Sequence, residues 1–361
     1  MMDVQEKDAQ ALHAVLDGFR ARIAQGKPLR LRGGGTKDWY GQARQGEVLD
    51  TRAYSGIVDY EPTELVITAR CGTPLSEIEA ALDANNQMLA WEPPRFDGIS
   101  TVGGMVAAGL SGPARAAAGA VRDFVLGAVL MDAQGQVLHF GGQVMKNVAG
   151  YDISRLLAGS LGTLGLILQV SLKVLPKPVA TSTRVFEIHE EGALRLLNQW
   201  GGQPLPITAS VWHQQALTIR LAGAQAAVDA AVRKLGGAEV SNGADVWADL
   251  REQRHAFFDG DAPLWRLSVP SVTPPLDLPG AQLIEWGGAQ RWWRGAEGVD
   301  AAAIRALAAG VGGHATLYRG GDKAVGVFHP LQPAVETIHR RLKAQFDPAG
   351  IFNPGRMYPS R

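Results

Sequence analysis

The chain has 361 residues with 35 basic and 35 acidic side chains, a formal net charge of +0, 46% apolar residues, 44 glycines and one cysteine. That length and apolar content support a packed core spread over two domains of ordinary size, and the balanced charge lacks the basic excess or stripe of a nucleic-acid binder. The lone Cys71 excludes an intramolecular disulfide and a cysteine-ligated iron–sulfur cluster built from this chain alone.

The opening segment, Met1 to Lys7, is polar and has no signal-peptide apolar core. The longest apolar runs, such as Phe124 to Met131, fall short of the roughly 20 residues that span a bilayer. The expected compartment is the cytoplasm, with peripheral membrane attachment through a partner left open. Leu12, Val15, Leu16, Phe19 and Ile23 then recur at helical spacing, and Gly26 is placed to end that helix. Leu29-Arg30-Leu31 reads as a strand. It runs into Arg32-Gly33-Gly34-Gly35-Thr36-Lys37, where three glycines let the backbone turn with its amides inward, a nest for phosphate oxygens. Taken alone, such a run more often means a flexible turn, and Lys37 reads first as a solvated loop lysine.

Thr73-Pro74 starts a helix with Leu75, Ile78 and Leu82 on one face. A second glycine-rich loop follows at Thr101 to Gly109. Val121 to Met131 and Gln136 to Phe140 flank Asp132-Ala133-Gln134-Gly135 as a β-hairpin. A third glycine loop, Gly159 to Gly165, enters a strand that extends to Val174. Three glycine loops tied to strands point to one long ligand with a pyrophosphate in its middle. Neither common nucleotide motif explains them. Walker A needs a Gly-Lys-Ser/Thr run opening a helix, and the Rossmann fingerprint needs a third glycine that Gly33-x-Gly35 lacks.

Pro176 and Pro178 mark a boundary. Beyond it, strands at Arg184 to Ile188, Ile207 to Trp212 and Ala216 to Leu221 alternate with helices at Glu191 to Trp200 and Ala224 to Leu235. A fainter second round has helices at Val246 to Phe258 and Ala301 to Ala309, and strands at Leu264 to Val269, Gln282 to Trp286 and Gln290 to Trp293. This reads as an antiparallel sheet with helices on one face. Pro333 to Phe346 is an amphipathic helix with Val335, Ile338, Leu342 and Phe346 in register, followed by the Asp347 to Arg356 tail.

Six segments in this order carry a resemblance: Arg32 to Thr36, Asp59 to Glu64, Thr101 to Gly104, Lys146-Asn147-Val148-Ala149-Gly150-Tyr151-Asp152, Gly159 to Gly165, and the tail. Together they resemble the FAD-linked oxidases with a flavin domain of the p-cresol methylhydroxylase (PCMH) type, and within them the FAD-binding subunits of bacterial glycolate oxidases. The resemblance implies an α+β fold: a two-subdomain PCMH-type FAD-binding domain over residues 1–177, an antiparallel-sheet α+β cap domain over 178–320, and a C-terminal segment, 321–361, whose helix packs back on the flavin domain. FAD would be held by Arg32, Gly33, Gly34, Gly35 and Thr36 at the pyrophosphate, by Thr101, Gly103 and Gly104 beside the flavin, where a side chain would collide with the cofactor, by Gly162, Thr163, Gly165 and Ile167 on its other side, and by Asn353.

Where many members carry a covalent histidine, this chain has Thr36 and Lys37, and Cys71 reads as a buried structural thiol, so the FAD is expected to be non-covalent. The metal-binding histidine cluster of related catalytic subunits is absent. His314 and His329 stand fifteen positions apart, and no metal is expected. His314 could still be a general base or a half-buried structural histidine. Arg266 and Arg319 are candidates for binding a substrate carboxylate. Trp286, Trp292 and Trp293 could wall a pocket or fill a core. Two functions are compatible with this: oxidation of a small 2-hydroxy acid such as glycolate or D-lactate, or a flavin-holding electron relay. The partners implied are a larger catalytic flavin subunit and an iron–sulfur subunit.

Overall fold

The computed structural model describes residues 4–96, 98–142, 153–295 and 298–359. The opening helix, Val4–Ile23, buries Phe19 and Ile23 against Leu29, Leu49, Met131 and Phe352. It stops where Gly26 takes φ +65°, a left-handed turn that glycine adopts without a Cβ penalty. Strand Leu29–Arg32 pairs in parallel with Glu47–Asp50, and Leu29 also bridges to Phe352 from the far end of the chain.

A five-stranded antiparallel sheet follows, in the order Ile57–Glu61, Val66–Arg70, Leu166–Lys173, Val125–Met131, Val137–Gly141. Helices Leu75–Asp83 and Val102–Ala108 bury Leu75, Ile78, Leu82, Met105 and Val106 in its core. Two expectations are corrected here. Val121–Phe124 is a helical turn rather than strand, with Asp123 Oδ2 accepting from Ala120 N at 2.8 Å. The second glycine loop is mostly helix: Thr101 caps it, the apolar residues at 102, 105 and 106 turn inward, and Gly109 closes it at φ +65°.

Leu175–Pro176 pairs with Gln87–Met88, and the next strand, Ala180–Glu187, already belongs to a second sheet. That sheet has eight strands, all antiparallel, in the order Ala238–Glu239, Ala180–Glu187, Ala216–Gly223, Ile207–His213, Gln282–Glu285, Gln290–Arg294, Leu264–Ser268, His314–Arg319. Its outer face is covered by helices Glu190–Gly201, Gln225–Leu235 and Ala301–Gly310. Its inner face meets Tyr40, Ala108 and Leu110 of the first region. Helix Gly243–Glu252 also lies on that side through Trp247 and Leu250, so the helices do not all share one face.

Charged ties join the two regions. Arg220 pairs with Glu92 at 2.7 Å, and the buried Glu252 carboxylate accepts from the backbone N–H groups of Arg95 and Phe96 at 2.9 and 2.7 Å. The chain ends by returning. Helix Pro333–Phe346 packs Leu342 and Phe346 on the first core. Asp347, 1% exposed, then folds the tail by accepting from Ile351 N at 3.0 Å and Phe352 N at 2.8 Å while also taking the Lys343 ammonium.

Candidate functional site

The first glycine loop, the start of helix Val102–Ala108, the third glycine loop and the tail wall one cleft of about 930 Å³. Arg32, Gly33, Gly34, Gly35, Thr36, Thr101, Gly103, Gly104, Gly162, Gly165, Ile167 and Asn353 all line it, although they span more than three hundred positions in sequence.

The glycines serve different ends. A Cβ at Gly33 would run into the Thr101 side chain, and one at Gly34 would collide with the Ile99 carbonyl, so these two let the loops around 34 and 100 touch. Gly103 presses against Cys71 in the same way. The expectation that a side chain at Gly103 would collide with the cofactor is therefore corrected, because Cys71 already occupies that space. Gly104 differs: a Cβ there would meet only Thr101 Oγ1, at 3.2 Å, and the position faces the cleft.

Asn353 is a clamp. Its Oδ1 accepts from Leu31 N at 2.9 Å and its Nδ2 donates to Leu161 O at 2.6 Å, which ties the first strand to the third loop. Gly162, at φ +68°, passes directly under that amide. Thr163 does not join the cleft. Its hydroxyl donates to Ser160 O at 2.7 Å and touches Met357 Sδ at 3.7 Å, on the opposite side of the loop. The motif Lys146 to Asp152 lies outside the described residues.

The cleft is cationic. Arg30, Arg32, Lys37, Arg44 and Arg356 line it against one acid, Asp38. Asp38 Oδ2 takes Arg32 Nε at 3.0 Å and Arg44 at 2.5 Å, and Asp38 O takes Arg356 at 2.9 Å. Burial pushes Arg356 down to about 10. The Nε of Arg30 is buried without a hydrogen-bond partner, a costly state for a charged donor unless an anion completes it. The surplus of charge and this orphaned donor fit a pyrophosphate. Lys37 is not a solvated lysine. Its ammonium donates to Ser100 Oγ at 2.9 Å and Thr36 Oγ1 at 3.2 Å, and burial pushes it down to about 8 against the opposing pull of Glu252. Sequence reading missed Arg30, Arg44 and Arg356. For Arg30 a signal existed: it stands two residues before Arg32, on the same face of a strand.

The candidate catalytic residues lie elsewhere, and none of them lines the cleft. Arg266 is on the inner face of the eight-stranded sheet, donating to Tyr40 Oη at 3.2 Å and lying 5.3 Å from the Tyr318 ring. Arg319 lies 4.6 Å over Trp39 and donates to Gln253 Oε1, and burial lowers its pKa. Tyr40, Trp292 and Tyr318 are buried; Trp292 meets Tyr318 edge to face with the rings 4.7 Å apart, and Tyr40 meets Tyr318 at a tilt at 5.4 Å. Trp293 faces the outer core, and Trp286 donates to Gly112 O at 3.1 Å.

His314 opens the edge strand. Its ring comes within 6.5 Å of His329, so the fifteen-residue gap does not keep the two apart. Burial lowers both, helped by Arg266 at His314 and Arg305 at His329, which favours neutral imidazoles near pH 7. Among the described residues no group of three or more His, Cys, Asp or Glu gathers where it could hold a metal. The inner face also holds Glu285, which sequence reading overlooked. It accepts from Trp292 Nε1 at 2.5 Å and Gln290 Nε2 at 3.0 Å, and burial raises it to about 7.

The FAD binding domain family matches residues 5–141. Glycolate oxidase subunit GlcE of Escherichia coli K12 is 48% identical over 345 residues, covering 96% of this chain and 97% of that protein. Glycolate oxidase subunit GlcD of Bacillus subtilis 168 is 28% identical over 196 residues, 53% of this chain and 42% of that protein. D-lactate dehydrogenase of Anaerostipes hadrus is 32% identical over 133 residues, 37% of this chain and 28% of that one. A solved alkyldihydroxyacetonephosphate synthase superposes with a TM-score of 0.65 at 16% identity, over 95% of this chain and 74% of that one, and shares the fold.

Proposed function

The chain belongs to the FAD-linked oxidase family, and on that premise we propose that it is the FAD-binding subunit of a complex that oxidises glycolate to glyoxylate and passes the electrons to a partner subunit. The observation that carries this reading is the cationic, glycine-walled cleft assembled from four distant segments. Bound FAD supplies a two-electron acceptor. In this reading the amides of Gly33 to Thr36, with Arg30, Arg32 and Arg356, hold the pyrophosphate. Gly103 and Gly104 line one side of the flavin, Gly162, Gly165 and Ile167 the other, and Asn353 closes the wall. Residues 1–177 form the flavin domain, 178–320 the cap, and 321–361 the returning segment.

The FAD is held without a covalent bond. Thr36 and Lys37 offer no histidine, and burial pushes the Cys71 thiol up to about 12, far from a reactive thiolate. Acid precipitation of the yellow protein should leave all flavin in the supernatant. Flavin fluorescence that stays on the chain in a denaturing gel would disprove this.

Lys37 gives the cofactor a pH dependence. Without FAD its ammonium sits near 8, and a neighbouring diphosphate raises it. FAD affinity is then full below about pH 8 and falls above it, as the ammonium that the diphosphate favours loses its proton. Titration of FAD fluorescence at pH 7 and pH 9.5 should show several-fold weaker binding at the higher pH, and Lys37→Met should flatten the profile. An unchanged wild-type affinity would remove Lys37 from the site.

Whether this chain oxidises substrate itself is a separate question. Arg266 or Arg319 could take the substrate carboxylate, with His314 as base. The relay reading has one observation in its favour: Tyr40, Trp292 and Tyr318 fill the space between the inner sheet face and the flavin domain. We therefore favour a relay subunit whose partners are a larger catalytic flavin subunit and an iron–sulfur subunit, in the cytoplasm or at the inner membrane face through those partners. No helix among the described residues is long and apolar enough to cross a membrane. The isolated chain should reduce little or no dye with glycolate, and co-expression with both partners should restore turnover. Equal turnover by the chain alone would establish a stand-alone enzyme.

A further inference from the structure

We propose that the groove between the C-terminal helix and the third glycine loop seats the fold-related flavin subunit of the same complex; this rests on the subunit reading above. The apolar stripe of helix Pro333–Phe346 is only half used. Phe346 and Leu342 enter the core, but Ile338 is 56% exposed and Val335 41% exposed, one and two turns further out. The same helix lines, through His339, Leu342 and Lys343, a groove of about 790 Å³ that Leu156, Ala158, Leu164 and Met357 also wall, and Leu156 is itself 40% exposed. Three of the nine exposed large apolar side chains among the described residues thus stand in the groove's wall or on the helix that lines it. Scattered exposed apolar residues are ordinary, whereas a contiguous set around a groove marks an interaction site.

The wall of this groove identifies its occupant. The third glycine loop has two sides. Leu161, Gly162 and Gly165 face the flavin cleft, while Gly159, Ser160, Thr163 and Leu164 face the groove. The side turned outward includes Thr163, the one member of the loop's candidate set that the cleft does not use. Lys343 connects the two sites, donating from the helix to Thr163 O at 2.7 Å and to Phe352 O at 3.0 Å, next to Asn353. A partner seated here is separated from the cleft by that one loop, and a short separation favours electron transfer between two bound cofactors. Two chains named as glycolate oxidase subunits resemble this one, GlcE along its length and GlcD over 196 residues, so a partner of related fold is available to such a complex. Arg340 and Arg341 are exposed on the same helix, and the partner's matching surface is an apolar ridge with acidic residues at its rim.

The test is co-expression of the tagged chain with the flavin and iron–sulfur subunits of its own source. The variants are Ile338→Glu and Leu156→Glu, with Val272→Glu, 73% exposed on the far loop, as control. The measurements are the stoichiometry of the recovered complex, the dissociation constant for the flavin subunit, and the FAD content and melting temperature of each isolated chain. Both groove variants should weaken association more than tenfold with FAD content and melting temperature unchanged, and the control should assemble as wild type. Assembly of both groove variants at wild-type affinity overturns the inference and leaves the subunit reading standing. So does a wild-type chain that dimerises with itself, or binds phosphatidylglycerol vesicles, through this face. If wild type recovers no flavin subunit, the subunit reading falls and the surface falls with it.

Discussion

Gly104→Trp should purify folded and colourless. Position 104 is in the first turn of helix Val102–Ala108, on the cleft side, and a Cβ there meets a single neighbour, Thr101 Oγ1 at 3.2 Å. A side chain at this position needs only the Thr101 hydroxyl to give by a few tenths of an ångström, and an indole extends into the volume that the flavin needs. FAD affinity should fall at least a hundredfold, about 2.7 kcal/mol, while the melting temperature of the FAD-free protein stays close to wild type. Gly34→Val is the contrasting variant. Its Cβ meets the Ile99 carbonyl, so it should lose stability as well as flavin. A fully yellow Gly104→Trp protein would mean that the cleft face of this helix is not the flavin wall.

Asp347→Ala should have the largest effect on stability. The carboxylate is buried, ties down Ile351 N and Phe352 N, and neutralises Lys343. Its removal leaves a half-buried ammonium without its counter-charge and two backbone donors without partners, at a cost of roughly 3–5 kcal/mol. Burial already lowers the Lys343 pKa with Asp347 opposing it, so the variant's lysine should become easier to deprotonate still. Because the same carboxylate fixes the turn that delivers Asn353, FAD should be lost along with stability. Urea denaturation and flavin content measure the two effects separately. A variant with wild-type denaturation midpoint would show that the tail is held by something other than this carboxylate.

Much of the cleft's wall was legible because its signals are local. A run of glycines after a strand, a glycine-interrupted loop before a strand and an Asn-Pro turn all announce backbone geometry that few other residues adopt. The second sheet was legible from its alternation. What escaped depends on contacts between distant segments. The Thr101 to Gly109 stretch read as a loop because glycine weighs against helix, but Thr101 caps it and the apolar residues at 102, 105 and 106 bury it. His314 and His329 read as too far apart, yet the chain reverses between them, with Leu317 N donating to Val327 O at 2.9 Å. Glu285 carried no local mark. Its neutral-range carboxyl follows from burial beside Trp292 and Gln290 and is invisible in a strand of four residues. Arg356 likewise acquires its place only when the tail returns to Asp38 and Gln42.

The Asn353 clamp also sets an order of events during synthesis. Its two hydrogen bonds reach back 322 and 192 positions, so the first strand and the third loop leave the ribosome long before the residue that joins them. A nascent chain that has already made its glycine loops still lacks this clamp, and on the proposed reading tight flavin capture waits until position 353 has been made and has left the ribosome. Ribosome-bound chains stalled before and after that point should differ sharply in the flavin they retain. The cofactor would in this way be loaded only onto polypeptides whose translation has already passed both regions.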